Sequence, residues 1–291
     1  MTRIIRSLAE ISASYDALFC DLWGCVHNGV RVFPEAIAAL QAFRAGGGKV
    51  IMVTNSPRPR DSVARQLDGL GAPRDCWDDI ATSGDAAQAG MMAGVVGRKV
   101  WHLGPDRDRY FFTDLPKGLP GAPVDLVPFD EAEGIVCTGL EDDSTETPDT
   151  YRARLIAAKA RGLRLLCANP DIVVDRGDQR IFCAGAIAAL YTEMGGQSLY
   201  FGKPHPPIYD VARQRLTGLG PIAEDRILAI GDGPGTDMAG ALGEDLDFLF
   251  ISGGLSGEVT GTGPDGPDAE KLAGHLADLR MSPTYTIGML R

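Results

Sequence analysis

Short apolar runs alternate along the chain with longer segments whose apolar residues recur every three or four positions. Residues 15–20 and 49–54 are mostly apolar and of strand length, which suits strands buried on both faces of a parallel sheet, and residues 79–83 read as a further short strand. Between the first two, residues 34–44 open with proline, place Ile37, Leu40 and Phe43 on one helical face and stop at Gly46-Gly47-Gly48. Residues 59–70 read as another helix with Val63, Leu67 and Leu70 inward, stopped by Gly71, and residues 84–92 as a third. This alternation predicts a parallel sheet covered on both sides.

A second set of elements follows. Residues 99–103 and 134–138 read as strands, and residues 148–161 as an amphipathic helix ended by Gly162. Apolar runs at 163–168 and 171–174 flank the turn Asn169-Pro170-Asp171. The loosest and most acidic segments, 115–130 and 141–149, also fall here, and polar stretches of this kind lie at surfaces. Residues 84–184 are therefore read as a separate α/β unit. From residue 184 the first pattern resumes, with a helix at 184–194, a strand at 198–201, a helix at 208–216 and strands at 226–230 and 248–251. A Gly-rich loop at 253–268 precedes a closing helix at 269–279.

Composition narrows the function classes. With 291 residues, 44% of them apolar, the chain can bury one large core or two modest ones. A formal net charge of -11 excludes broad attraction to nucleic acid or anionic lipid, so an anionic substrate must be held by local donors, a metal, or both. No apolar stretch reaches the roughly 18 residues of a membrane span. The N-terminal residues lack the pattern of a signal peptide, so a cytoplasmic location is expected. Cys20, Cys25, Cys76, Cys137, Cys167 and Cys183 are scattered, mostly in strand-like runs, and are expected to be reduced and buried. Cys20, Cys25 and His27 are ligand types, but no second ligand pair matches them, and the bland reading without zinc is preferred.

Four segments stand at predicted strand ends: Asp21-Leu22-Trp23-Gly24, Thr54-Asn55, Lys203, and Asp232 with Asp237. Open α/β sheets place their ligands at that edge, although a single Asp there equally serves as a turn or cap residue. Taken together they offer carboxylates, a hydroxyl, an amide and an ammonium. Phosphoryl transfer to a carboxylate nucleophile beside a hard cation requires that set, with Mg²⁺ suited to carboxylate oxygens.

The order and types of these residues resemble the haloacid dehalogenase (HAD) superfamily, nearest its class IIA, p-nitrophenyl phosphatase-like members. The resemblance rests on residues 21–29 with Pro34, on Val53-Thr54-Asn55-Ser56, on Gly202-Lys203-Pro204, and on Gly231-Asp232 through Asp237 with Ala239-Gly240-Ala241. It spans almost the whole chain. The implied fold is α/β, a Rossmann-like three-layer parallel-sheet core (1–83 and 185–291) with an inserted α/β cap (84–184). The implied activity is hydrolysis of a small phosphorylated metabolite. Asp21 would be the nucleophile and form an aspartyl-phosphate; Thr54 and Asn55 would bind the phosphoryl group, and Lys203 would neutralise it and orient Asp21. Mg²⁺ would be held by Asp21, the main-chain carbonyl of Trp23 and Asp232, with Asp237 in support. The loop Asn169-Pro170-Asp171 resembles the subfamily's substrate-facing loop, which marks Asn169 and Asp171 as substrate contacts.

The departure is Trp23. Phosphatases of the superfamily carry a second Asp at that position, which protonates the leaving oxygen and then activates water. Indole does neither, so monoester hydrolysis is expected to slow by about 10²- to 10⁴-fold unless another group such as His27 substitutes. Dehalogenases also lack this Asp but do without the metal, whereas the metal-site aspartates are kept here. Phosphonatases need a cap lysine, for which Lys99, Lys117 and Lys159 are in range. The alternative is a non-catalytic relative that binds a phosphorylated ligand or a protein partner. Whether the chain forms a homo-oligomer is left open.

Overall fold

A computed structural model describes residues 2–116, 118–176 and 179–291. Lys117 lies outside the described residues. The strands in chain order are β1 (Arg3–Ile4), β2 (Ala17–Cys20), β3 (Lys49–Thr54), β4 (Asp79–Thr82), β5 (Lys99–Leu103), β6 (Asp125–Leu126) and β7 (Gly134–Cys137). They continue with β8 (Arg164–Cys167), β9 (Val173–Arg176), β10 (Gln179–Phe182), β11 (Gln197–Tyr200), β12 (Ile227–Gly231), β13 (Asp247–Ile251) and β14 (Tyr285–Ile287). The helices are α1 (Pro34–Ala45), α2 (Arg60–Gly69), α3 (Ser83–Met92), α4 (Tyr110–Thr113), α5 (Arg152–Ala160), α6 (Ala184–Glu193), α7 (Pro206–Thr217), α8 (Ala239–Gly243) and α9 (Ala269–Leu279). The expected α/β class is what is found.

The first sheet has seven strands in the order β1-β14-β13-β12-β2-β3-β4. From β2 the chain winds outward through β3 and β4, then returns on the other side through β12, β13 and β14. The order therefore reverses between β2 and β12, which pair in parallel with Ile230 opposite Cys20. Such a switch point opens a crevice beyond the strands' carboxyl ends. Every residue of β2 and of β12 is buried, as expected of central strands covered on both faces.

The second sheet has five strands in the order β11-β8-β7-β5-β6. Successive side chains on its central strands point to opposite faces. Ile135, Cys137, Leu165 and Cys167 pack with Leu155 of α5 and Ile187 of α6, whereas Val136 and Leu166 pack with Ala87 and Met91 of α3 and with Phe111. One unit comprises Met1–Thr54, Ala64–Ala81 and Tyr209–Arg291, and the other Asn55–Val63 and Thr82–Ile208. The second sheet thus extends beyond the 184/185 boundary expected from the sequence, because β11 pairs with β8. A run of four residues carries no mark of which sheet it will join. The antiparallel hairpin β9–β10 is likewise absent from the sequence reading, since most of its side chains are exposed or half-buried and show little apolar alternation.

All six cysteines are buried free thiols. Among the described residues no helix is long and apolar enough to cross a membrane.

A polar network is buried in the second unit. Thr138 gives its hydroxyl proton to Asp108, which also accepts from the Tyr110 hydroxyl at 3.2 Å. The contact of 2.9 Å between His102 Nε2 and Thr138 Oγ1 is then one in which the imidazole donates. A Cβ at residue 104 would lie 2.1 Å from Thr138 Oγ1, so glycine there is required for the approach. Burial, and then the charge of Arg109, push the His102 pKa down to about 4. As pH falls from about 6.5 to about 4 the unfolded chain takes up a proton at this residue that the folded chain does not, so stability is lost across that window. Urea unfolding at stepped pH should show wild type losing up to about 1.4 kcal/mol per pH unit more than His102→Gln; parallel pH profiles for the two proteins would disprove this.

Candidate active site

Asp21 follows β2 directly, and its N–H donates to the carbonyl of Ile230 in β12 at 2.8 Å. Asp232 follows β12. The parallel register of the two strands therefore delivers both carboxylates to the switch point. A carboxylate oxygen of Asp21, one of Asp232 and Cys25 Sγ all lie within 4.8 Å of one another, and all three residues are buried. Cys20, Cys25 and His27 form no such ligand group among the described residues.

Two buried carboxylates this close repel unless positive charge lies between them. The Cys25 thiol registers the same field. Burial pushes its pKa well up, and the charges of Asp232 and Asp21 push it further. A protonated thiol is a poor ligand for a hard cation, whereas carboxylate oxygens suit Mg²⁺. The donor set fits the expected metal, with Asp21 and Asp232 as the protein ligands and Cys25 as a neighbour.

Asp232 is held in a narrow space. Leu255 N–H donates to its Oδ2 at 2.9 Å. A Cβ on Gly24 would lie 2.2 Å from that oxygen, and one on Gly254 would lie 2.0 Å from it. Gly24 also has φ +76°, a left-handed conformation that favours glycine. The sequence reading does not single out Gly254 and Leu255; the Gly253-Gly254 pair after β13 is the signal that marks them.

Asp237 stands in a π-helical turn (Pro234–Met238), and its Oδ2 accepts from Gly233 N–H at 3.1 Å and from the Thr236 hydroxyl at 3.4 Å. Outside the 4.8 Å group, it braces the loop that carries Asp232. Thr54 is buried at the end of β3. Trp23 is half-buried, with its ring against Gly29, where a Cβ would lie 2.6 Å from the indole. The Trp23 and His27 rings meet edge to face at 5.2 Å. His27 Nδ1 accepts from Gly29 N–H at 3.0 Å, so in the neutral ring the proton sits on Nε2. Burial pushes this imidazole's pKa down to about 4, and it is neutral at pH 7.

The remaining candidates lie in the second unit, joined by the Asn55 side chain. Asn55 Nδ2 donates to Asp171 Oδ1 at 2.8 Å and to the Lys203 carbonyl at 3.0 Å, while its Oδ1 accepts from Lys203 N–H at 2.7 Å. Both amide protons and the oxygen are engaged. Asn169 Oδ1 in turn accepts from Asp171 N–H at 3.0 Å, and the Asn169 side chain also bonds the Cys183 thiol. A Cβ on Gly202 would lie 2.5 Å from Asn55 Oδ1 and 2.7 Å from Pro170 Cδ, so the turn before Lys203 closes tightly on this network. Asn55, Asn169, Asp171 and Lys203 are thus brought together as one hydrogen-bonded group, and Asn55 appears in it as a scaffold residue.

Known proteins resemble this chain in sequence and in fold. A family model described as haloacid dehalogenase-like hydrolase matches residues 18–115, and one described as HAD-hydrolase-like matches residues 200–279. A hydrolase of the haloacid dehalogenase-like family from Brucella suis 1330 is 40% identical over 99% of this chain and 100% of its own, with a TM-score of 0.85. A glycerol phosphate phosphatase from Mycobacterium tuberculosis, solved in complex with magnesium, is 23% identical over 92% of this chain and 79% of its own, with a TM-score of 0.64. A dihydroxyacetone phosphatase from Corynebacterium glutamicum (strain R) is 31% identical over 99 residues, 34% of each chain, so this chain matches about a third of that relative's length.

Two expectations test the geometry. Gly24→Ala meets both a left-handed φ and the Asp232 carboxylate, whereas Gly71→Ala meets φ +79° with nothing within 4 Å of the new Cβ. Denaturant unfolding should show Gly71→Ala costing about 1–2 kcal/mol and Gly24→Ala clearly more; equal losses would remove the steric argument. Asn55→Ala removes three hydrogen bonds made by a buried side chain and should cost on the order of 2–4 kcal/mol in the same measurement. A loss under about 0.5 kcal/mol, the size of an ordinary surface change, would show that Asn55 is no scaffold.

Proposed function

The chain belongs to the haloacid dehalogenase (HAD)-like hydrolases, and from this we propose that it is a class IIA, p-nitrophenyl phosphatase-like member, a Mg²⁺-dependent phosphatase of small phosphorylated metabolites. The observation that carries the reading is the pair of buried carboxylates, Asp21 and Asp232, at the switch point of the first sheet. Similarity to a glycerol phosphate phosphatase and to a dihydroxyacetone phosphatase supports a small phosphorylated substrate.

In this proposal Asp21 Oδ attacks phosphorus, the bond to the leaving oxygen breaks, and an aspartyl-phosphate forms. Water then bonds to phosphorus, the bond from phosphorus to Asp21 Oδ breaks, and phosphate leaves with the carboxylate restored. Thr54 supplies a hydroxyl to the phosphoryl oxygens, and Lys203 neutralises their charge and orients Asp21. Asn55, whose amide is engaged, acts by fixing the main chain of Lys203. Asp21, Asp232 and the Trp23 carbonyl hold Mg²⁺, and Asp237 supports them. When bound, the cation offsets the repulsion between the Asp21 carboxylate and an anionic phosphate. The unit built on the second sheet serves as the cap, with Asn169 and Asp171 presenting the substrate-facing loop. Trp23 favours a second reading, a protein that binds phosphorylated ligands without turnover.

The test is hydrolysis of p-nitrophenyl phosphate by the full chain with Mg²⁺. Release of p-nitrophenolate should vanish on chelation of the metal and in Asp21→Asn. Activity that persists in Asp21→Asn would remove that residue as nucleophile, and no activity in wild type would favour the binding protein.

A further inference from the structure

An aspartyl-phosphate is useful for hydrolysis only if something removes a proton from the incoming water. Among the described residues of the first unit, the side chains at positions 23, 27, 232 and 237 are each engaged in another way. Trp23 carries an N–H that donates only, on a ring seated against Gly29. His27 is 2% exposed, with Nδ1 already accepting from Gly29 N–H and the ring proton therefore on Nε2, so no lone pair is left for water. Asp237 Oδ2 accepts from Gly233 N–H and the Thr236 hydroxyl. Asp232 accepts from Leu255 N–H and is assigned above to the metal.

The same lack of a proton carrier sorts the donors. A leaving oxygen whose conjugate acid is as strong as a carboxylic acid (about 4) or a phenol (about 10) departs as an anion and needs no proton. An alkoxide is far more basic and does need one. By microscopic reversibility, an oxygen that leaves as an anion also attacks as one, with no proton to remove.

We propose that this chain takes phosphoryl groups from acyl, enol or aryl phosphates onto Asp21, holds them there as a long-lived aspartyl-phosphate, and returns them to anionic oxygens more readily than to water. In the forward step Asp21 Oδ bonds to phosphorus and the donor's P–O bond breaks, releasing a carboxylate, enolate or phenolate. In the return step such an anion bonds to phosphorus, and the Asp21 carboxylate is the leaving group. The proposal rests on the reading of Asp21 as nucleophile. It adds the donor class and the fate of the intermediate.

The full chain with Mg²⁺ is mixed with p-nitrophenyl phosphate, and separately with glycerol phosphate, and sampled for released product and for intact protein mass. The expected result is one rapid equivalent of p-nitrophenolate followed by a slow phase, and protein heavier by one phosphoryl group. That mass should be absent in Asp21→Asn, and absent from wild type given glycerol phosphate. After the donor is removed the added mass should persist, and added p-nitrophenolate should discharge it with re-formation of p-nitrophenyl phosphate. Trp23→Asp should shorten the lifetime of the adduct by about 10²- to 10⁴-fold; if that variant does not fold, the wild-type lifetime and discharge decide. Steady Asp21-dependent turnover of both substrates with no adduct would overturn this proposal and leave the phosphatase reading intact. No adduct and no Asp21-dependent turnover would overturn both.

Discussion

Two negative charges forced together out of water are the constraint on which the first unit is built. Asp21 and Asp232 reach each other because β2 and β12 run parallel in register at the point where the strand order reverses. Their approach needs room, and Gly24 and Gly254 supply it by having no Cβ where Asp232 lies. The field of the pair reaches Cys25, which burial and then both carboxylates hold as a neutral thiol. A hard cation is the partner that turns this repulsion into attraction.

The second unit solves a different problem, placing a lysine and a loop from distant parts of its chain. It does so with one amide. Asn55 engages Asp171 through one N–H and the Lys203 main chain through the other N–H and its oxygen, and Asn169 extends the network to the Cys183 thiol. Buried polar groups satisfied in this way define a single arrangement, because any displacement leaves several of them unpaired at once. Asn55 is also the residue after Thr54, so a single peptide bond separates the end of β3 from this network.

The first unit sets carboxylates suited to a metal beside a loop in which Trp23 and the neutral His27 each offer a ring N–H. In the proposed function the Asp21–Asp232 pair meets the charge of a phosphoryl group through the cation it would hold. The Trp23–His27 loop is organised by ring contacts and by its own main-chain N–H groups. Under the proposal, binding and transfer of a phosphoryl group therefore come ahead of the activation of water.

Much of this was legible in the chain itself. Strands such as β2, β3 and β12 and helices such as α1 and α9 announce themselves, because burial on two faces or along one stripe imposes a local period. The placing of Asp21 and Asp232 at strand ends follows from the same reading, whereas Trp23 stands out only against the family resemblance. Other features depended on which distant segments meet. β11 joined the second sheet because its register with β8 is satisfied there. Asn55 became a scaffold because Lys203 and Asp171 arrive beside it, and Gly254 mattered only because Asp232 lies where its Cβ would be. Local period is written along the chain, but the approach of residues hundreds of positions apart is set by the packing of whole elements.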